Sequence, residues 1–238
     1  MPIQKDNERL TFALERPGAI SDGGEYTGSI ELQNVKPVFN VPNLTAHYRH
    51  GVSWGYVQIG VIAKSIKWED VSNSPVQNLS GSAFAWGGNV STVINASKNI
   101  TLKLQGVYGK GISNYIADSG VDIAPESNPG STSQPIKGTA LPVLGFFSFA
   151  EIKWNKLLSS TVGYSSTIYE NSDLQLASAF KKGQYGLVNL RYSPVDNVLM
   201  GIEYQYGRRN NFSDGFHSKG NKLQLSFKFN FSKKITEE

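Results

Sequence analysis

Few side chains in this sequence could support catalysis or metal binding. Its histidines are His47, His50 and His217, and it contains no cysteine. His47 and His50 lie three positions apart in a segment of alternating polarity, so a strand would direct them to opposite faces and they could not share a metal ion. Ser53 follows His50 closely enough to suggest a lipase-like pair, but no nucleophile or carboxylate pair converges with a histidine in this pattern. We therefore expect no catalytic site, no metal and no cofactor.

The charged residues on the polar side of the alternating segments are mostly basic. Rings of Arg or Lys are how pores favour anions, and a guanidinium group can hold a carboxylate through two parallel hydrogen bonds. We predict weak anion selectivity set mainly by Arg49 and Arg191. The other residues predicted to line the pore are Lys64, Lys103, Glu203 and Lys228, of which the lysines add to the positive field. The alternative is that the two arginines pair with Glu203 and Glu151 and brace the wall.

Strands are the elements that would position these charges. From 222 to 231 the odd positions are all Leu or Phe and the even positions are all polar. The same period of two recurs at 184–192 and 198–207, which are joined by a Pro/Asp/Asn turn at 193–197. The outward positions of these segments carry no charge, as lipid requires, since Lys or Arg at the bilayer midplane costs roughly 2–4 kcal/mol. The pattern predicts an all-β, antiparallel transmembrane β-barrel; a soluble β-sandwich is the alternative.

The whole chain follows this pattern. Ten strands are predicted, at 9–15, 44–50, 54–67, 82–95, 99–109, 143–154, 157–168, 184–192, 198–207 and 222–231, with a further short strand at 29–35. Short turns alternate with long loops, which is typical of barrels with periplasmic turns and external loops. We divide the chain into a stub at 1–8, one barrel domain at 9–231 and a charged tail at 232–238.

The loop at 113–141 is too long and too polar to be a passive connection. We expect it to fold inward and narrow the pore, with Asp118, Asp122 and Glu126 facing the basic wall. Phe147 and Phe149 share the polar side of their strand, so they either pack against an inward-folded loop or mark a register slip. The Gly87-Gly88 pair predicts a bulge or close packing within its strand.

Composition excludes two classes of protein, those that bind nucleic acid and those that cross a membrane with helices. The net charge of +4 is modest, and no basic cluster accompanies a recognition element, so we expect no nucleic-acid partner. No run approaches the roughly eighteen apolar residues of a membrane-spanning helix. Residues 1–8 show no signal peptide.

Several segments resemble the DcaP-like outer-membrane porins. They are Thr-Phe-Ala-Leu-Glu-Arg-Pro at 11–17, Asn-Leu-Arg-Tyr-Ser-Pro at 189–194, Gly-Ile-Glu-Tyr-Gln-Tyr-Gly-Arg-Arg at 201–209 and Gln-Leu-Ser-Phe-Lys-Phe-Asn-Phe at 224–231. The resemblance runs from about residue 9 to residue 231. It implies a homotrimeric, sixteen-stranded barrel in bacterial outer-membrane lipid that admits small anionic solutes such as dicarboxylates.

The same resemblance implies that this chain is the C-terminal portion of the barrel, ten strands of sixteen. Ten strands could close on their own, or the segment 9–15 could be left as an unpaired edge. Ser160 and Ser166, on the outward side of their strand, favour a protein–protein contact within the membrane. Two other functions stay open, a rim-active barrel enzyme of lipase or protease type and a structural or adhesive barrel.

Overall fold

The computed structural model describes residues 2–72, 74–116 and 120–231. Within them the backbone forms fourteen β-strands, one short helix (α1, Ile30–Gln33) and two turns of 3-10 helix, at Gly24–Tyr26 and Ser113–Tyr115. The strands are β1 (Pro2–Lys5), β2 (Glu8–Glu15), β3 (Val35–Val38), β4 (Asn43–Val52), β5 (Gly55–Asp70), β6 (Gly81–Asn95), β7 (Ile100–Lys110), β8 (Ile123–Ser127), β9 (Ile136–Ala140), β10 (Pro142–Lys153), β11 (Leu158–Tyr169), β12 (Phe180–Tyr192), β13 (Val198–Asn211) and β14 (His217–Phe229).

A single antiparallel sheet contains most of these strands. Its order is β1-β2-β4-β5-β6-β7-β10-β11-β12-β13-β14, so each strand pairs with its neighbours along the chain once the inserted segments are set aside. β3 pairs with the end of β5, and β8 and β9 form a separate hairpin. The all-β antiparallel fold is confirmed, and all ten predicted long strands are present.

Several boundaries differ from the prediction. The short strand at 29–35 is wrong, because α1 occupies its centre and β3 begins at Val35, where the chain pairs with Asp70 of β5. β12 starts at Phe180 and β14 at His217, so the loops predicted at 170–182 and 208–220 are shorter. These strands continue beyond the stretch in which apolar and polar residues alternate.

The ends of the sheet also differ. The predicted stub at 1–8 contains β1, which pairs with β2, so the segment 9–15 is not the edge. β1 and β14 end the strand order and do not pair with each other within the described residues. The charged tail predicted at 232–238 lies outside the described residues.

The sheet has two chemically distinct faces. The inner face, defined by the laterally paired residues Arg49, Gln58, Ser91 and Gln105, is mainly polar. The outer face exposes large apolar side chains such as Leu14, Phe84, Val61, Leu225 and Phe227, whose exposed fractions lie between 56% and 76%. A continuous apolar surface of this kind is what a lipid-facing barrel wall presents.

Connections at the two ends of the strands differ in length. At one end the turns are short, at 53–54, 96–99, 154–157 and 193–197. At the other end the connections 16–42, 71–80, 111–141 and 170–179 are longer, but the connection 212–216 has only five residues. The predicted alternation of short turns and long loops is confirmed up to β13, but the connection from β13 to β14 is short. No helix in the described part of the chain has the length and apolar character needed to cross a membrane.

The most buried part of the molecule lies where the long loops fold over the inner face. Ile112, Leu141, Val143 and Tyr169 form one cluster, with exposed fractions of 1–2%. A Cβ on Gly87 would lie 2.5 Å from Ile112 Cδ1, and β6 pairs without interruption through this position. The Gly87-Gly88 pair therefore serves close packing, and the bulge that was the other possibility is absent.

Candidate functional site

The inner face and the inserted loops enclose a cavity of about 630 Å³. Its wall residues include Gln58, Asn89 and Gln105, and Tyr115 and Ile116 of the segment 111–141 close it on the loop side. The segment that was predicted to fold inward therefore does so. The cavity is the candidate site because it lies between the inner face and the loops. Its lining mixes polar groups with apolar side chains such as Ile62 and Val107, and the predicted pore residues Arg49 and Arg191 lie outside it.

Phe147 and Phe149 line this cavity without any register slip. Phe147 pairs with Gln105 on one side and Ser165 on the other. Phe149 lies directly opposite Gly163, and a Cβ on that glycine would collide with the phenyl ring. The aromatic ring covers the space that the glycine leaves, which is a recognised way to stabilise a glycine within a sheet.

Lys64 and Asp122 form a buried ion pair. The distance from Lys64 Nζ to Asp122 Oδ1 is 3.4 Å, and both side chains are fully shielded from solvent. Lys64 also donates to the Gly18 carbonyl oxygen at 3.2 Å and to Asn114 Oδ1 at 2.8 Å. Asp122 accepts from the backbone N–H groups of Ile20 at 2.7 Å and Asn114 at 3.2 Å.

This arrangement corrects the roles expected for both residues. Asp122 does face the basic wall, but it is buried against Lys64, so neither charge is offered to a solute in the pore. The pair instead connects the wall strand β5 with the loops 16–42 and 111–141. A buried charge requires such partners, because an unpaired one would lose its hydration without compensation.

The other loop acids are placed differently. Glu126 Oε2 lies 3.0 Å from Lys137 Nζ across the β8–β9 hairpin, so its charge is used within the hairpin. Its predicted position facing the basic wall is therefore not observed. Asp118 lies outside the described residues.

Two of the predicted pore residues are bound to other side chains of the wall. Lys103 Nζ lies 2.7 Å from Glu151 Oε1, and both side chains are partly exposed. Glu203 accepts hydrogen bonds from Asn189 Nδ2 at 2.9 Å and from Gln205 Nε2. Glu151 thus pairs with a lysine, and Glu203 is held by amides.

Arg49 and Arg191 remain without an acidic partner among the described residues. Neither arginine forms an ion pair with any residue that the structure describes. The guanidinium carbon of Arg49 lies 3.7 Å from the centroid of the Tyr56 ring, and the Nε atom of Arg191 is buried without a hydrogen-bond partner. A guanidinium stacked on a ring keeps its in-plane N–H groups available to an anion.

Both arginines lie on the inner face near the short-turn ends of β4 and β12. Lys228 and Lys222 are exposed on the inner face of β14, opposite Leu199 and Gln205. Arg209 joins this face because β13 is longer than its apolar pattern suggested, and it donates to the Ser178 carbonyl oxygen at 3.3 Å. The sequence prediction missed Arg209 for that reason.

A hydrogen-bond network that could not be predicted from the sequence connects the loop to the wall. Tyr115 Oη donates to Glu15 Oε2 at 2.9 Å and accepts from Asn43 Nδ2 at 2.9 Å. Thr45 Oγ1 donates to Glu15 Oε1 at 2.6 Å. Burial raises the pKa of the Tyr115 phenol, and the bond to Glu15 acts in the same direction. Tyr115 therefore stays protonated and holds the loop against β2 and β4.

The histidines are separated as predicted. His47 lies on the inner face, whereas His50 lies on the outer face, where its Nδ1 is 3.3 Å from Glu8 Oε1. Among the residues with a described position, no group of three or more His, Asp or Glu side chains has the geometry to hold a metal ion.

Comparison with known proteins identifies the family. The family model described as DcaP outer membrane protein matches residues 22–231. The crystal structure of the outer membrane channel DcaP of Acinetobacter baumannii aligns with 97% of this chain and 61% of its own, at a TM-score of 0.77 and 21% sequence identity. The chain thus spans about three fifths of that channel's length, and the likeness shows the shared fold.

Two other solved structures are less similar. The alignment with the NanC porin covers 80% of this chain and 93% of the porin, at a TM-score of 0.39 and 10% identity. The alignment with the toluene transporter TbuX of Ralstonia pickettii covers 97% of this chain and 80% of the transporter, at a TM-score of 0.34 and 10% identity. At these scores the likeness is too slight to define the fold. No curated protein sequence matches the chain. Because the family model covers most of its length, the chain belongs to the DcaP outer membrane protein family and is a protein of the bacterial outer membrane.

Proposed function

We propose that this chain forms part of a passive outer-membrane channel for small anionic solutes such as dicarboxylates. The observation that carries the proposal is the state of the two inner-face arginines. Arg49 and Arg191 have no acidic partner within the described chain, whereas Lys64 and Lys103 are each neutralised by a carboxylate. The two arginines therefore leave free guanidinium groups on the wall, and such groups bind carboxylates through paired hydrogen bonds.

The balance of the other unpaired charges on the inner face also favours anions. Glu15 and Glu203 are the inner-face acids without a cation at ion-pair distance in the part of the chain that is described. The described inner-face cations in the same condition are Arg9, Arg49, Lys153, Arg191, Arg209, Lys222 and Lys228. A lumen with this excess attracts anions and raises their local concentration.

Solute flux tests the proposal directly. We expect the full-length protein in liposomes to pass succinate faster than succinamide, its uncharged analogue of similar size. R49Q/R191Q should slow succinate severalfold and leave succinamide unchanged. The matched control is K98Q/K156Q, which removes two cations from the short turns and should change neither rate. Equal rates for the two solutes, or a variant that passes succinate as fast as the wild type, would reject the proposal.

We also propose that the full-length protein is a homotrimer, as the family resemblance implies. Ser160 and Ser166, whose outward positions favoured a contact between protomers, support the trimer only weakly. Ser160 Oγ accepts from Trp154 Nε1 at 2.8 Å, and Ser166 Oγ donates to the Gly183 carbonyl oxygen at 2.9 Å. Both hydroxyl groups are thus used within one protomer. Mass measurement in a mild detergent decides the matter, and a strict monomer would refute a trimer.

A further inference from the structure

The outer face changes character at the loop end of β12, β13 and β14. Along the membrane its residues are apolar, but beyond that band it carries Lys182, Arg208 and Lys219. The uncharged outer face predicted from the sequence therefore does not extend to the loop end of these strands. The three cations lie on the strand extensions that the alternating pattern did not include.

These three side chains are neighbours across the sheet. Arg208 pairs directly with Lys219 on β14 and with Gln184 on β12. Lys182 pairs with Asn210, which places it diagonal to Arg208. Directly paired side chains on one face have Cβ atoms about 4.5–5.5 Å apart, and diagonal ones lie about 7–8 Å apart. One group of the size of a phosphate can reach all three cations.

Among the described residues, no acidic side chain neutralises this cluster. None of the three cations forms an ion pair with another described residue. The Nε atom of Arg208 is buried without a hydrogen-bond partner. Like charges directly opposite each other destabilise a strand pair, so Arg208 and Lys219 together favour the binding of an anion.

An aromatic belt fixes the level of the cluster in the membrane. Tyr206 lies on the same face, two residues closer to the membrane centre than Arg208, and Tyr204 follows it. Tyr204 Oη donates to Asn221 Oδ1 at 2.6 Å, and Tyr164 Oη accepts from Gln184 Nε2 at 2.5 Å. Tyrosines with bonded polar tips mark the boundary between hydrocarbon and headgroups in barrel proteins. The cations beyond them lie at the level of the headgroups.

The opposite end of the same three strands has no such cluster. There the outer face carries Tyr192, Val198, Met200, Phe227 and Phe229. The cations are therefore confined to the side of the long loops, which in outer-membrane barrels faces the exterior. The leaflet on that side is built of a phosphorylated glycolipid, whose phosphate groups complement the cluster in charge.

We propose that Lys182, Arg208 and Lys219 form a binding site for the phosphate groups of this outer-leaflet glycolipid. Arg208 supplies the planar fork that suits phosphate oxygens, and the two lysines supply point charges. Basic clusters at a membrane surface recognise anionic lipids in this way, at about 1 kcal/mol for each cation. The site lies on the outer face, so it is independent of the solute path.

Lipid binding by the full-length protein in detergent micelles tests this site, with diphosphoryl lipid A as the probe and native mass spectrometry as the readout. R208Q/K219Q should bind about 25-fold more weakly than the wild type. K98Q/K156Q removes two cations from the short turns and should bind like the wild type. Dephosphorylated lipid A should not distinguish the wild type from R208Q/K219Q.

Two further variants guard against a loss of folding. R208K/K219R keeps both charges and should retain binding, and K182Q alone should weaken it about fivefold. The heat-dependent shift in gel mobility shows whether each variant forms a folded barrel. Undiminished binding by folded R208Q/K219Q or K182Q, an equal loss in K98Q/K156Q, or binding that does not depend on the phosphates would overturn the proposal.

Discussion

Lys64 and Asp122 show what a single buried pair does in this fold. Both side chains are withdrawn from solvent, and the backbone N–H groups of Ile20 and Asn114 complete the shell around Asp122. The face of Lys64 follows from the alternation in β5, so the sequence predicted its direction. Its partner could not be predicted, because 58 positions of chain separate it from Asp122 and no local pattern relates them. Lys64, which was predicted to line the pore, therefore holds the loops against the wall instead.

Removal of one member of this pair should be costly. We expect K64M to lower the free energy of unfolding by about 3–5 kcal/mol, because Asp122 would remain buried without a cation. The double variant K64M/D122L should recover much of this loss. K103M is the matched control, since its partner Glu151 is partly exposed, and we expect a loss of about 1 kcal/mol or less. Urea titration in detergent measures all three; equal losses in K64M and K103M would show that the buried pair is not special.

At the scale of elements, the period of two predicted the strands well and their ends poorly. The apolar pattern persists only where the outer face meets lipid, so Leu223 and Phe227 were easy to place. Lys219 and Arg208 lie on the same strands beyond that band, where polar residues are equally stable on either face. β3 was misplaced because its strand state depends on pairing with the end of β5, a tertiary contact that residues 29–35 do not encode locally.

The β8–β9 hairpin packs on the inner side of β5, and we propose that it narrows the pore. A Cβ on Gly138 of β9 would lie 2.7 Å from Trp68 Cη2, so the hairpin packs closely on the wall. We expect replacement of 124–138 by a short Gly/Ser linker to raise single-channel conductance. Deletion of the exposed residues 74–77 in a neighbouring loop is the control and should leave the conductance unchanged. An unchanged conductance after removal of the hairpin would mean that another part of the chain sets the narrowest point.

At the scale of the whole molecule, the two faces of the sheet define its environment. The outer face exposes Leu, Val and Phe side chains to lipid, and the inner face carries the unpaired arginines. Because β1 and β14 do not pair with each other in the described residues, the sheet offers backbone groups at both edges, which lipid does not tolerate without a partner. The membrane barrel could be predicted from the alternation alone. The inward packing of two loops could be predicted only in outline, since contacts such as Tyr115 with Glu15 join residues one hundred positions apart.

The reversal potential of the full-length channel in a KCl gradient across a planar bilayer tests most directly whether unpaired inner-face arginines make the lumen favour anions. We expect the wild-type channel to favour chloride, and R49E/R191E to shift the potential toward that of potassium because two lumen charges change sign. K98E/K156E makes the same change of net charge in the short turns and should leave the potential close to that of the wild type. A wild-type channel that favours potassium, or an R49E/R191E channel with an unchanged potential, would contradict the role assigned to Arg49 and Arg191.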